Sequence, residues 1–289
     1  MSVIVVTPAV LRGWPLPQPG GGKEDRGHLL VVAGTATTPG AALLAAEAGL
    51  RAGAGKLTVA TSEVTAAALG VSLPEAGVEA LSSDAGSIAP SEADRIVELA
   101  ADADAVVVGP GFTDPEATVR LLERVVPRLT VPLVVDATAS AYLGQRPDAL
   151  RHLAGRAVLT VNTSELARTA HRSDSSVEDD PAPVAAQVAE AGDVVVLAGG
   201  TAKHVLAPDG THWVVEGGSP ALGVSGSGDV QAGIVAGLLA RGVDAAQAAV
   251  WGAYVHARTG ERVAASTGAV GALARDLLPH VPLVLIEVG

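Results

Sequence analysis

The sequence predicts an α/β protein built on a mainly parallel central sheet, and three observations carry that expectation. Short apolar runs alternate with helical patterns along most of the chain, the signature of β-α-β units with right-handed crossovers. Nearly half of the 289 residues are apolar (48%), yet there are only one Phe, two Tyr and three Trp. A core of Ala, Val and Leu, with Gly allowing close helix approach, suits buried parallel strands covered by helices. Finally, several apolar runs end in glycine-containing or polar turns, as strands do at the ligand-binding edge of an open parallel sheet.

Taken in order, residues 13–27 (GWPLPQPGGGKEDRG) are rich in Pro and Gly, so residues 1–24 read as a loop or arm and 25–289 as one domain. HLLVVAG (28–34) reads as a buried strand, GAALLAAEAGLRAG (40–53) as a helix and KLTVAT (56–61) as the next strand. The alternation continues with a helix over 93–100, a strand and turn over 105–111, a helix over 116–126 and a strand and turn over 132–138. AVLTVN (157–162) is a further strand, followed by a short helix from about Ser164. The polar stretch 171–183 reads as a surface loop. A helix over 184–192 then leads into the strand DVVVLAGG (193–200), and 203–218 forms a hairpin turning at Asp209-Gly210. The remainder is mainly helical, with no domain break and no internal repeat.

The bulk chemistry narrows the function classes. A net charge of −12 argues against nucleic acid or an anionic membrane surface as the main partner, but allows a phosphorylated small molecule. With no cysteine there is no disulfide and no thiolate metal site. The start lacks a signal-peptide pattern and no apolar stretch is a convincing membrane span, so the expectation is a cytoplasmic protein. The seven histidines form no H-x-x-H or H-E-x-x-H pattern, which makes a zinc site improbable. His28 and His256 read as satisfied structural groups.

Five turns should share the carboxyl edge of the sheet: Ala33-Gly34-Thr35, Gly109-Pro110-Gly111, Asp136-Ala137-Thr138, Asn162-Thr163-Ser164-Glu165 and Ala198-Gly199-Gly200. There is no G-x-x-x-x-G-K-[ST]. GVSGSG (223–228) matches G-x-G-x-x-G only loosely and follows no suitable strand, which excludes the dinucleotide fingerprint. Neither Ser225 nor Ser227 sits on a nucleophile elbow.

The segment GVSGSGDVQAGIVAGLLARG (223–242) raises a sharper possibility. Gly226, Ser227 and Gly228 can turn backbone N–H groups to one side at the start of a helix, an arrangement suited to phosphate oxygens. Asp229 follows in the first turn. As a helix cap it would contribute about 0.3–1 kcal/mol. As a base beside an anion cradle it would suit phosphoryl transfer, taking the proton of an attacking hydroxyl.

These residues also carry a resemblance. GSGDV followed by QAGIVAGLL resembles the anion-hole and base motif of the ribokinase-like superfamily, and within it the ADP- or ATP-dependent NAD(P)H-hydrate dehydratases. Residues 27–61, VVVGPG (106–111), PLVVDATA (132–139), VLTVNTSELAR (158–168) and 217–242 follow in that family's order, covering about residues 25–278. The resemblance implies a three-layer ribokinase-like domain without a lid. It also implies repair of the S-epimer of NADHX or NADPHX: ADP or ATP phosphorylates the C6 hydroxyl, and loss of phosphate restores NAD(P)H. Asp229 would be the base and Gly226, Ser227 and Gly228 the phosphate cradle. Gly199, Gly200 and Thr201 would face the adenine nucleotide. Ala41, Gly109, Gly111, Asn162 and Asp229 would line the substrate site. Mg²⁺ would bridge phosphates, with Glu165 reaching it through water. A homo-oligomer and cooperation with a separate NAD(P)HX epimerase are further implications, since a fused epimerase domain has no room before residue 25.

Two positions depart from that pattern. Asn162 stands where the family often has the His of His-Pro-Gly-Glu, and Ala198 where it usually has Lys before Gly. The N-x-x-E at Asn162–Glu165 also matches ribokinase-like kinases, so a small-molecule kinase is an alternative. A nucleotide-binding relative without catalysis is another.

Overall fold

The computed structural model describes residues 3–18, 21–200 and 202–289. Its strands are β1 (Val3–Val5), β2 (His28–Val32), β3 (Lys56–Ser62), β4 (Gly77–Leu81), β5 (Ser83–Asp84), β6 (Ser87–Ile88), β7 (Ala105–Val108), β8 (Leu133–Asp136), β9 (Ala157–Val161), β10 (Val195–Ala198), β11 (Lys203–Leu206) and β12 (His212–Val215). Among the described residues, ten of these form one sheet in the order β1-β12-β11-β10-β9-β8-β7-β2-β3-β4, and β5 pairs with β6 alone. Only the two pairings made by β11 are antiparallel; the other neighbours in the large sheet are parallel.

Both faces of the central strands are buried, which is why they read as unbroken apolar runs. Leu29 and Val31 of β2 pack with Val107, Val134 and Val158 on one face, while Leu30 and Val32 pack with Val106, Val135 and Leu159 on the other. The helices Pro39–Arg51, Ser227–Ala240 and Ala245–Thr267 cover the first face. Ala93–Ala101, Pro115–Val125, Ser140–Gln145, Thr163–Thr169 and Ala182–Gly192 cover the second. The result is the expected α/β/α layering. Truncating a fully buried side chain such as Leu30 to Ala would cost about 2–5 kcal/mol.

The helix Ser227–Ala240 is nearly encased, with every residue from Val230 to Ala240 buried. Small residues let it press against Pro39–Arg51. A Cβ on Gly233 would lie 2.2 Å from the Ala45 carbonyl oxygen, and one on Gly237 would lie 2.4 Å from that of Gly49. This backbone-to-backbone contact fixes where the helix begins, and therefore where Asp229 stands.

Three stretches differ from the expectation. The N-terminal residues read as a loop or arm contain β1, which adds a parallel edge strand beside β12, and the helix Pro8–Arg12. Trp14 stacks on Trp213 at 5.8 Å and receives two hydrogen bonds on its carbonyl oxygen, from Gln247 Nε2 and Trp251 Nε1. The polar stretch 171–183 holds a short helix, Asp174–Glu178, whose Val177 is fully buried. Between β3 and residue 92, where no element is expected, the chain forms the helix Glu63–Ser72, strand β4 and the β5–β6 ribbon.

Candidate active site

The turns after β8, β9 and β10 do meet at one sheet edge, and the N-terminus of Ser227–Ala240 closes over them. They enclose a cavity of about 920 Å³, lined by Asp136, Asn162, Glu165, Gly199, Gly200, Lys203, most of the 218–229 segment, Gln231 and His256. That volume lies in the range of small-molecule and cofactor sites.

The start of the helix is built for an anion. Gly226 takes φ +90°, a left-handed conformation that glycine adopts without strain, and no side chain caps the helix after it. The first amide bond into the helix runs from Val230 N–H to the Gly226 carbonyl oxygen at 3.2 Å. The Ser227 amide is taken by the Val224 carbonyl oxygen at 3.2 Å. The Gly228 and Asp229 amides therefore carry the open donor capacity of the first turn. A Cβ on Gly228 would meet nothing within 4 Å, and Gly228 and Asp229 both line the cavity.

Three carboxylates face the cavity: Asp136, Glu165 and Asp229. None forms an ion pair among the described residues. Burial pushes the Asp229 carboxyl up to about 6, with the neighbouring Glu165 charge adding to the rise. Asp136 is 5% exposed; burial, together with the charge on Asp229, holds it well above the usual carboxylate range. Thr160 Oγ1 donates to Asp136 Oδ1 at 2.6 Å and works in the opposite direction. A general base near neutrality needs such a raised value.

One cation lines the cavity among the described residues. Lys203, at the start of β11, donates from Nζ to the Gly199 carbonyl oxygen at 3.4 Å, makes no ion pair, and is pulled down to about 8 by burial. His256 comes from the middle of the helix Ala245–Thr267, is 2% exposed, and contacts Ser227 through Nε2. Burial and the Lys203 charge drive its value down to about 3, so the ring is neutral. Asp136 was legible as a turn residue and Lys203 as a close sequence neighbour of Ala198. The approach of His256 to Ser227, by contrast, follows only from the packing of two helices.

The expected site residues divide. Asp229, Gly226, Ser227, Gly228, Gly199, Gly200, Asn162 and Glu165 line one cavity. Asn162 caps the helix Thr163–Thr169 in a reciprocal box with Glu165, so the N-x-x-E pattern has a structural cause. Ala41, Gly109 and Gly111 are not among the cavity-lining residues. Gly111 packs against Ala41, where a Cβ would come within 2.7 Å of the alanine methyl, and Gly109 packs against the Asp136 carbonyl oxygen. Thr201 lies outside the described residues. Among the described residues no three His, Cys, Asp or Glu side chains form a ready-made metal cage.

A family model described as NAD(P)H-hydrate dehydratase matches residues 29–283. The chain is 44% identical over 286 residues to the ADP-dependent (S)-NAD(P)H-hydrate dehydratase of Xanthomonas campestris pv. campestris, covering 98% of this chain and 96% of that protein. It is 35% identical over 279 residues to the bifunctional NAD(P)H-hydrate repair enzyme Nnr of Moorella thermoacetica, covering 94% of this chain and 51% of that one. Among solved structures, the ADP/ATP-dependent NAD(P)H-hydrate dehydratase of Bacillus subtilis co-crystallised with ATP and Mg²⁺ matches with a TM-score of 0.82. Identity is 26%, and the whole of both chains is covered. A ribokinase-like superfamily protein of Enterococcus faecalis shares the fold, with a TM-score of 0.81 at 21% identity over 99% of this chain and 96% of that one.

Proposed function

The chain belongs to the NAD(P)H-hydrate dehydratase family, and we propose that it performs that family's repair reaction in the cavity beneath Asp229. The reaction is nucleotide-dependent dehydration of the S-epimer of NADHX or NADPHX, with ADP as the expected phosphoryl donor. The observation that carries the assignment to this cavity is the union of an open amide cradle with a base raised to about 6.

Asp229 takes the proton of the substrate's C6 hydroxyl as that oxygen attacks the terminal phosphoryl group of the nucleotide. AMP leaves when the donor is ADP. The C6–O bond then breaks, phosphate departs with the bonding electrons, and loss of a proton from C5 forms the ring double bond. The amides of Gly228 and Asp229 hold the phosphoryl oxygens where negative charge concentrates. Lys203 supplies the fixed positive charge of the nucleotide side, beside the Gly199-Gly200 turn.

Divalent magnesium fits this site. Three carboxylates without ion-pair partners face one cavity, yet no protein cage exists among the described residues. Mg²⁺ keeps waters and takes phosphate oxygens, so Glu165 and Asp136 would hold it through water. When bound, it would neutralise phosphate charge. Ala41, Gly109 and Gly111 would form the far wall of the nicotinamide site, outside the cavity proper. A homo-oligomer, and supply of the S-epimer by a separate epimerase, complete the proposal.

The test is dehydration of NADHX in the presence of Mg²⁺ and either ADP or ATP, followed by the absorbance of reduced nicotinamide. A rise that requires nucleotide supports the reading and identifies the donor. A stable phosphorylated product without reduced nicotinamide would instead favour a kinase.

A further inference from the structure

The contact between His256 and Ser227 has a definite proton arrangement. His256 Nε2 lies 2.9 Å from the Ser227 carbonyl oxygen and 3.0 Å from Ser227 Oγ. A carbonyl oxygen can only accept, so at 2.9 Å the ring nitrogen facing it must carry a proton. The neutral ring therefore has its hydrogen on Nε2, which donates to both oxygens of one residue. Nδ1 is then a bare lone pair; it is buried and has no hydrogen-bond partner among the described residues.

The consequence falls on the serine. Ser227 Oγ accepts from the ring, so its own proton is free to be donated elsewhere. Ser227 is the first residue of the helix whose amides form the anion cradle, it is 5% exposed, and it lines the cavity. We infer that His256 is a positioning residue that holds the Ser227 hydroxyl as a hydrogen-bond donor to an oxygen of the phosphoryl group in the cradle. The inference rests on reading this cavity as a phosphoryl-transfer site. Ser227 touches the phosphate; His256 acts through Ser227. Burial keeps the ring neutral, and the Lys203 charge adds to this, since a second positive charge there is disfavoured.

Two measurements test this. Long-range ¹H–¹⁵N NMR of the free full-length protein should show His256 protonated at Nε2 and bare at Nδ1; the opposite tautomer would overturn the inference whatever the enzyme's activity. In turnover, Ser227→Ala removes a donor to a charged group and should lower kcat/KM by about 10–100-fold. Ser227→Thr, which keeps the hydroxyl, should stay within about threefold of the parent. His256→Met should resemble Ser227→Ala, while His256→Gln, whose amide N–H can stand in for Nε2–H, should recover most of the loss. The double variant Ser227→Ala/His256→Met should be little worse than Ser227→Ala alone, because coupled residues are not additive. Losses that multiply would mean a merely structural histidine and would overturn the inference. If the parent fails to dehydrate NADHX, the dehydratase reading falls. The same cycle is then read in the Kd for ADP by calorimetry, and the same coupling supports the inference or its absence refutes it. Should His256→Met not fold, the tautomer and the Ser227→Ala and Ser227→Thr pair decide the matter.

Discussion

Asn162 and Glu165 cap one another: the Asn162 amide donates to Glu165 Oε2 at 2.9 Å, and the Glu165 amide donates to Asn162 Oδ1 at 2.8 Å. A motif that could be read as catalytic is thus a helix start that also holds a carboxylate at the cavity. The two roles separate by substitution. Asn162→Ala should cost about 1 kcal/mol in denaturant unfolding, the usual loss of a cap. Glu165→Gln keeps an acceptor for the Asn162 amide and should leave stability nearly unchanged. Burial would still raise Asp229, but the substitution removes the Glu165 charge that adds to the rise, so the acid limb of the pH–rate profile should move to lower pH, and more Mg²⁺ should be needed for half-maximal rate.

Asp229, held at about 6, should set that acid limb in the parent enzyme. The carboxylate is the active form, so kcat/KM should fall about tenfold per pH unit below the limb and level off above it. Asp229→Asn should abolish turnover. Its stability effect has the opposite sign. Because the folded value lies above the ordinary 3.8, Asp229 costs stability that builds as the pH rises from 3.8 to 6 and is present in full above 6. The Asn variant should therefore unfold at higher denaturant at pH 8, by about 1–3 kcal/mol, and match the parent once the pH is well below the ordinary 3.8. Equal stability at both pH values would show that Asp229 is not perturbed by its surroundings.

Much of this arrangement was written in local pattern. The strands β2, β7, β8, β9 and β10 are apolar on both faces, so their runs are unbroken and end at turns that a parallel sheet must gather at one edge. The cradle was visible because Gly226, Ser227, Gly228 and Asp229 are consecutive. What was hidden depends on distant partners. Val3–Val5 is a strand only because β12 lies beside it, and its three side chains stay exposed, without the burial that marks a core strand. Lys203 enters the cavity because β11 runs antiparallel to β10, which turns a residue five positions beyond Ala198 back toward the same edge. His256 reaches Ser227 across the packing of two helices, which no spacing announces.

Lys203 should contribute to nucleotide binding at the expense of the free protein's stability. Burial without an ion-pair partner lowers its value to about 8, so below that pH the folded chain carries a buried ammonium at a cost in stability, and the cost is relieved as the pH rises from 8 to 10.5. Lys203→Met should raise the stability of the nucleotide-free protein at pH 7 by about 1–3 kcal/mol, and this gain should vanish above pH 10.5. It should also weaken ADP binding by about tenfold or more, equivalent to at least about 1.4 kcal/mol. In the parent, the Kd for ADP should rise as the pH passes 8, and in the Met variant it should not. Calorimetry across that range checks both; an unchanged Kd in Lys203→Met would remove this side chain from the nucleotide site.

Gly228 and Gly233 lie five residues apart on one helix and should respond in opposite ways to the same methyl group. On Gly233 the methyl would drive into the Ala45 carbonyl oxygen at 2.2 Å, so the two helices must separate. That overpacking should cost about 1–3 kcal/mol, offset only in part by alanine's better helix propensity. Turnover should fall as well, because the displaced helix carries Asp229. On Gly228 the methyl meets no protein atom and should leave the unfolding transition unchanged or slightly raised. Gly228 lines the cavity, however, and in the proposed reading a methyl there would crowd a phosphoryl group approaching the Gly228 and Asp229 amides. Gly228→Ala should therefore keep its fold while losing most nucleotide binding and turnover, and unfolding curves beside ADP titrations would show the contrast. Full ADP affinity in folded Gly228→Ala would mean that the phosphate lies elsewhere in the cavity.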